Sequence, residues 1–231
     1  MKYYKIEIKR IYPELGRIAS RAEGKNVPNA DEYFWAMDRG EILYDAPIFD
    51  FFTLKSFDEE KYWEWQLNDV HNFIGKGSQI QGWFISEKLK KLFEKFKISK
   101  PYCFYPSKLL FKNEKLDYFI FHFSAHNFRK PLTDYITFTK SLFYDPNHKI
   151  NFLVKNEQEL LIQQEKILDA SGYEIINVPI KKLVLNESLD FFPMQTFLGD
   201  IICSENLKQA IEQNNITGFE FSELDYEVVV G

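Results

Sequence analysis

Trp83-Phe84-Ile85-Ser86-Glu87-Lys88-Leu89-Lys90-Lys91-Leu92-Phe93-Glu94-Lys95-Phe96-Lys97-Ile98 changes its period in mid-stretch. Gly82 to Ile85 reads as a short strand. From Ser86 onward, Leu89, Leu92, Phe93 and Phe96 fall at i, i+3, i+4 and i+7, which is one face of a helix. Ser86 is the natural N-cap, because its side-chain oxygen can accept from the free amides of the first turn, and Pro101 closes the connection that follows. The same device returns later as Ser204-Glu205-Asn206-Leu207-Lys208. Over Ser86–Ile98 and Ser204–Ile216 six of thirteen positions are identical, which is enough to treat the segments as a pair. Each copy follows a short apolar run, Trp83 to Ile85 or Ile201 to Cys203, and precedes an aromatic one, Tyr102 to Tyr105 or Phe219 to Phe221. The unit is strand, capped helix, strand. Ser-Glu-x-Leu is also a favoured helix start in its own right, so duplication and convergence both stay open, and two copies fall short of a repeat array.

Working outward, Tyr4, Ile6 and Ile8 alternate with Lys5, Glu7 and Lys9, the pattern of a strand with one buried face. Residues 12 to 40 contain Pro13, Gly16, Gly24, Pro28 and Gly40, which predicts irregular connections with one short helical turn near Asp31 to Met37. Glu41 to Leu54 is apolar enough for strands, and Ser56 with Glu59 forms a capping box for a helix running towards Phe73. Tyr102 to Phe111 and Leu116 to Phe123 read as a hairpin across Lys112-Asn113-Glu114-Lys115. Further strands are expected at Tyr135 to Thr139, Ile150 to Lys155, Glu174 to Val178 and Lys181 to Leu185. A helix from Glu157 to Ala170 is capped by Asn156 and Glu159 and ended at Gly172. Strands and helices mix without regular alternation, so the expected fold class is α+β, with mixed, mainly antiparallel sheets and a few packed helices. Residues 1–231 are expected to form one domain, with a subdivision into 1–80 and 81–231 left open.

The bulk composition bounds the function. A chain of 231 residues can bury a core without disulfides or metals, and 23 Phe with 13 Tyr predict a core, and an interface, built from rigid rings. Cys103 and Cys203 sit in apolar stretches and read as packed thiols. No run approaches the ~20 apolar residues of a membrane span, and Met1-Lys2-Tyr3-Tyr4-Lys5 lacks a signal-peptide block, so a cytoplasmic location is expected. The sequons at Asn186 and Asn215 then carry no meaning. Net charge is −5, and Glu205 to Gly231 alone, with six acids against one base, accounts for it. An acidic end argues against a phosphate-backbone binder; it is compatible with the steering of a basic partner, and a plain solvated strand is its commoner meaning.

The closing motif, Ile201-Ile202-Cys203-Ser204-Glu205-Asn206-Leu207-Lys208-Gln209-Ala210-Ile211 with Ile216-Thr217-Gly218-Phe219-Glu220-Phe221, resembles that of the immunity-protein-eleven family of bacterial polymorphic-toxin systems. Phe84-Ile85-Ser86-Glu87-Lys88-Leu89 followed by Phe104-Tyr105-Pro106 is similar to the family's central motif, and Asp117 to Ser124 sits where it has another strand. The resemblance spans about residues 80 to 225. It implies a cytoplasmic protein, encoded beside a toxin, that binds and blocks that toxin without catalysis or cofactor. The motif residues are caps, core positions and a turn glycine, so the resemblance hands over no contact residue.

Other chemistry is thinner. His122 and His126 share a strand face at a separation of roughly 13 Å, too far for one metal, and His71 and His148 are isolated. Gly75-Lys76-Gly77-Ser78 lacks phosphate-loop spacing and reads as a helix C-terminus and turn. Asp58, Glu59 and Glu60 suit the positive end of a helix. Two groups remain as candidate partner contacts. One is Tyr62, Trp63 and Trp65 among Glu60 and Glu64, for which core packing is the commoner explanation; the other is the acidic set Glu220, Glu223, Asp225 and Glu227. The rival class is a hydrolase whose carboxylates, such as Asp50, Asp134 and Asp145, converge from distant segments. Nucleic-acid binding finds no basic stripe with interleaved aromatics.

Overall fold

The computed structural model describes residues 1–55, 66–172, 174, 177–195 and 197–231, with backbone alone at Leu15, Arg17 and His126. In chain order the strands and helices are β1 (Tyr3–Ile8), β2 (Ile11–Tyr12), β3 (Arg17–Ile18), β4 (Arg21–Glu23), α1 (Ala30–Asp38), β5 (Phe49–Lys55), β6 (Val70–His71), β7 (Gly82–Ser86), α2 (Glu87–Phe93), β8 (Cys103–Phe111) and β9 (Glu114–His122). They continue as α3 (Arg129–Thr133), β10 (Leu142–Asp145), β11 (Ile150–Phe152), α4 (Glu157–Ala170), β12 (Ile180–Leu185), β13 (Phe191–Pro193), β14 (Ile201–Ser204), α5 (Glu205–Gln213), β15 (Phe219–Glu223) and β16 (Glu227–Val230). Sheet I has the order β4-β5-β8-β9-β7-β6, sheet II β13-β14-β1-β15 and sheet III β11-β10-β12-β16, with β2-β3 as a small separate pair. Pairing is antiparallel except between β5 and β8 and between β12 and β16. The class is α+β with mixed, mainly antiparallel sheets.

The repeated unit is present twice, once in each of sheets I and II. In sheet I the spatial order is β6-β7-β9-β8, and in sheet II it is β13-β14-β1-β15. The third strand is antiparallel to both neighbours in each case. In sheet I that strand is β9, which follows β8 in the chain. In sheet II it is β1, which lies far away in sequence. Matching registers pair Tyr118 with Tyr3, Phe121 with Ile6 and Phe104 with Phe221 as equivalent positions.

Equivalent residues meet in one central core between the two sheets. It contains both members of eight pairs: Val70 and Phe191, Trp83 and Ile201, Ile85 and Cys203, Leu89 and Leu207, Phe93 and Ile211, Ile98 and Ile216, Phe121 and Ile6, Phe123 and Ile8. Trp83 meets Phe123 edge-on at 4.9 Å and Phe191 at 5.4 Å, contacts worth ~1 kcal/mol each beyond their buried area. The outer face of sheet I closes on a second core, where Phe84, Tyr105 and Ile120 meet Phe34, Phe49 and Phe52. The outer face of sheet II closes on a third, where Tyr3, Phe192 and Ile202 meet Phe143 and Leu183 of sheet III. The expectation of one buried face for β1 is therefore corrected, since Ile6 and Ile8 enter the central core while Tyr3 is buried on the opposite side.

Two aspartates lock the units to each other. Ser86 Oγ accepts from the Leu89 amide at 3.2 Å and donates to Asp69 Oδ1 at 2.6 Å, while Asp69 Oδ2 accepts from the Thr217 amide at 2.9 Å. Ser204 Oγ accepts from the Leu207 amide at 3.1 Å and donates to Asp190 Oδ1 at 2.6 Å, while Asp190 Oδ2 accepts from the Lys97 amide at 3.0 Å. Each carboxylate thus holds its own unit's N-cap and the segment leaving the other unit's helix. The helix lysines match as well. Lys90 Nζ sits 5.6 Å from the Phe104 ring and 5.1 Å from Phe119, and Lys208 Nζ sits 5.5 Å from Phe221 and 5.3 Å from Tyr4.

Several expectations need correction. The helix begun at Ser56 starts outside the described residues, and its expected end near Phe73 contains β6. Tyr135 to Thr139 is no strand: Ile136 makes a single bridge to Leu185, and Phe138 to Lys140 tightens into a 3-10 turn. Glu174 to Val178 lies partly outside the described residues, and Asn177 and Val178 lead irregularly into β12. The β8–β9 turn is two residues, Lys112 and Asn113 at φ 49° and 67°, since a short I′-type turn suits the twist of the strands. Gly75 to Ser78 is a turn between strands, not a helix end. The turn at Asp31 to Met37 and the helix at Glu157 to Ala170 are found as α1 and α4, with Asn156 Oδ1 accepting from the Glu159 amide at 3.0 Å.

Candidate functional site

The acidic set at residues 220–227 falls on two consecutive strands at the edges of different sheets and on the turn between them. β15 ends sheet II and β16 ends sheet III, joined by Leu224-Asp225-Tyr226. Phe219 and Phe221 turn inward against the central core, so alternation points Glu220 and Ser222 outward. Glu223 meets Lys2 Nζ at 2.6 Å and Glu227 lies 3.7 Å from Lys182 Nζ, both pairs exposed. Glu220 and Asp225 are exposed and make no ion pair among the described residues. The Lys2 ammonium holds the Glu223 carboxyl below the ordinary glutamate range, through the hydrogen bond first and charge second. Glu223 is therefore anionic at neutral pH.

Between the two strands opens a cleft of about 390 Å³ lined by Met1, Lys2, Tyr3, Glu223, Tyr226, Glu227 and their neighbours. Tyr226 is fixed from below, its hydroxyl donating to Asp200 Oδ2 at 3.0 Å. Burial pushes the Tyr226 phenol well above its usual range, so the ring stays neutral. Tyr3 is only 5% exposed, and its hydroxyl has no hydrogen-bond partner among the described residues. The cleft thus has an aromatic floor and carboxylates on its rim, an arrangement suited to a cationic side chain with an apolar stem.

A second concavity, of about 580 Å³, runs beside the first half of β8 and is lined by Leu43, Tyr44, Ala46, Tyr102, Cys103 and Phe104 among others. The Leu43 amide donates to the Tyr105 hydroxyl at 3.0 Å and holds the far wall. Tyr44, 90% exposed, stands at its rim. Sequence reasoning missed this groove, because its two walls are far apart in the chain.

The remaining candidates separate. Glu60, Tyr62, Trp63, Glu64 and Trp65 lie outside the described residues. Asp50 pairs with Lys115 at 2.7 Å, Asp134 with Lys130, and Asp145 with His148 at 2.8 Å, so each is engaged with its own neighbour. Among the described residues no cluster of three or more His, Cys, Asp or Glu is placed to hold a metal. Burial raises the Cys103 thiol above its usual range and pushes Cys203 up to about 12, so neither is poised as a thiolate. His122 and His71 are both fully buried, and burial lowers each to about 4. His71 is satisfied, its Nε2 accepting from the Asn68 amide and its Nδ1 facing the Ser20 carbonyl, each at 3.1 Å. His122 has no hydrogen-bond partner on either nitrogen among the described residues.

No helix among the described residues is long and apolar enough to cross a membrane. A search of curated proteins finds no match to the chain. The central motif at 84–106 lies outside the stretch that a family model recognises, so the recognised likeness is narrower than the span read from the sequence. Residues 150–225, running from β11 through β15 and stopping in the turn before β16, match the model of the immunity protein family Imm11, which is the family that the Ser204–Ile211 motif resembles.

Proposed function

We propose that this chain is a cytoplasmic bacterial immunity protein that neutralises a cognate toxin by stoichiometric binding, with no turnover of its own. The observation that carries the reading is the family match over residues 150–225, which takes in the acidic strand β15. The exposed carboxylates at Glu220, Glu223, Asp225 and Glu227 support it, because they give a basic partner a place to be steered to. A stable complex of this kind buries roughly 800 Å² per partner, so the contact surface extends beyond the edge itself. The carboxylates that a hydrolase would need are each paired locally, and no observation favours that rival.

The test is co-purification with the toxin module encoded in the adjacent reading frame, together with growth of a host that expresses the module. A nanomolar complex and restored growth are expected. A purified chain that neither binds the module nor protects the host removes the proposal.

A further inference from the structure

Sheet II stops at β15, while its counterpart in sheet I does not stop. β8 runs on past the matching positions, and there β5 pairs with Ser107 to Leu110, with β4 beyond. Among the described residues nothing pairs with the outer side of β15. The Lys9 amide donates to the Gly218 carbonyl at 2.8 Å, which fixes the phase of the β1–β15 ladder. Glu220 and Ser222 then turn their backbone groups towards β1, and Phe219, Phe221 and Glu223 turn theirs outward. Such a row of unpaired groups is a template for another strand.

The two equivalent edges differ in one decisive residue. The position on β8 that matches Glu223 is Pro106, as both stand opposite equivalent residues, Tyr4 and Phe119. Proline has no N–H, so β8 is blunted at that point in the way exposed edges commonly are. Glu223 keeps its N–H and adds a charge. Glu220 and Asp225, which make no ion pair among the described residues, then favour a basic occupant, whose side chain in the cleft would take over Glu223 from Lys2 or Glu227 from Lys182. A second copy of this chain fits poorly, because edge-to-edge pairing would bring two acidic edges together.

We infer that the outer edge of β15 receives one β-strand of the toxin, rich in Lys or Arg, hydrogen-bonded to Phe219, Phe221 and Glu223, with a basic side chain entering the cleft beside Glu223 and Glu227. This rests on the proposed toxin-binding role and specifies how the toxin is held. An acidic edge kept only to prevent aggregation would look the same in the free chain, so the complex decides.

The experiment is residue-resolved amide hydrogen exchange of the full chain, alone and with an inactive form of the adjacent toxin module. The Phe219, Phe221 and Glu223 amides should exchange freely alone and slow at least ~10-fold in the complex, while Glu220 and Ser222 are protected in both states. Glu223→Pro removes the outward N–H and leaves the β1 ladder bonds intact. It should weaken binding ~10-fold or more at unchanged thermal stability, and Glu220→Lys with Glu223→Lys should do the same. A complex that forms with the β15 amides unchanged overturns the inference and leaves the toxin-binding reading standing. Protection that appears in the chain alone as its concentration rises overturns it in favour of self-pairing. Absence of any complex sinks the toxin-binding reading itself.

Discussion

Replacing Asp190 with alanine tests whether the two repeated units are held by their exchanged carboxylates. The side chain accepts from Ser204 Oγ at 2.6 Å and from the Lys97 amide at 3.0 Å. Ser204 is fully buried, so its hydroxyl proton is left without an acceptor, and bonds to a charged group are worth ~1.5–3 kcal/mol. The Lys97 amide is exposed and recovers most of its loss from water, leaving ~0.5–1 kcal/mol. Together the substitution should cost ~2–4 kcal/mol, which for a chain of this size lowers the melting temperature by ~4–16 °C. Asp69→Ala should cost a similar amount, since Asp69 holds Ser86 and Thr217 in the same way. The assay is urea unfolding at pH 7 of both variants, with Ser204→Ala and the double variant closing a cycle. A coupling of ~1–2 kcal/mol between Asp190 and Ser204 is expected. A loss below ~0.5 kcal/mol for either aspartate, or a coupling near zero, would show the clasp to be ornamental.

Two further outcomes follow from the buried groups. His71 and His122 stay neutral in the fold down to about 4, whereas a free imidazole takes up its proton near 6.5. The unfolded chain therefore binds protons first as pH falls, so this stability is complete above ~6.5 and declines towards ~4 by ~1.4 kcal/mol per pH unit per histidine. Urea unfolding at pH 7 and pH 5 should show the decline, and His122→Phe, set between the Phe128 ring at 4.9 Å and the Tyr105 ring at 6.2 Å, should halve its slope without loss at pH 7; an unchanged slope refutes the assignment. Gly82→Ala places a Cβ 2.0 Å from the Phe121 carbonyl oxygen, which only a shift of β7 away from β9 can relieve, so a loss of ~3 kcal/mol or more is expected in thermal melts and a neutral result would mean the strands are not so close.

Local signals were legible in the sequence and long-range ones were not. The caps at Ser86, Ser204 and Asn156 and the alternation of Tyr4, Ile6 and Ile8 depend on near neighbours, and all are found. β13, at Phe191-Phe192-Pro193, was missed because a run ending in proline reads as a turn, and β16 was missed because four residues carry too little period. Tyr135 to Thr139 has strand composition, yet the Thr137 amide pairs with Val184 only once before the chain tightens. His122 stands two positions from the buried Ile120 on the same strand, so alternation already placed it inside; the residue type masked the position. At the candidate site the acids were visible as composition. That they line a sheet edge was not, because the edge exists only once β1 has entered sheet II beside β15, a pairing between the two ends of the sequence. Nor did Asp69 and Asp190 announce themselves, as their serines lie 17 and 14 residues away with no fixed spacing.

The duplicated frame also explains why contact with a partner should fall on an edge. Sheets I and II spend most of both faces on packing, one in the shared central core and one in each sheet's own outer core, with Glu220 and Ser222 left exposed on the outer face at the β15 edge. A partner cannot reach those faces without unfolding the protein, at a cost of the whole core. What remains are strand edges, outer helix faces and loops. Of the two matching strand edges, β8 is flanked by β5 and interrupted by Pro106, whereas β15 retains every outward N–H and C=O together with the acids beside it. If the two units share a frame, divergence at that edge is where a difference of role would be written. Exchanging the two residues tests this directly: Glu223→Pro should weaken binding ~10-fold or more, and Pro106→Glu should leave binding unchanged, because β8 is flanked by β5 and lacks the neighbouring carboxylates that favour a basic strand.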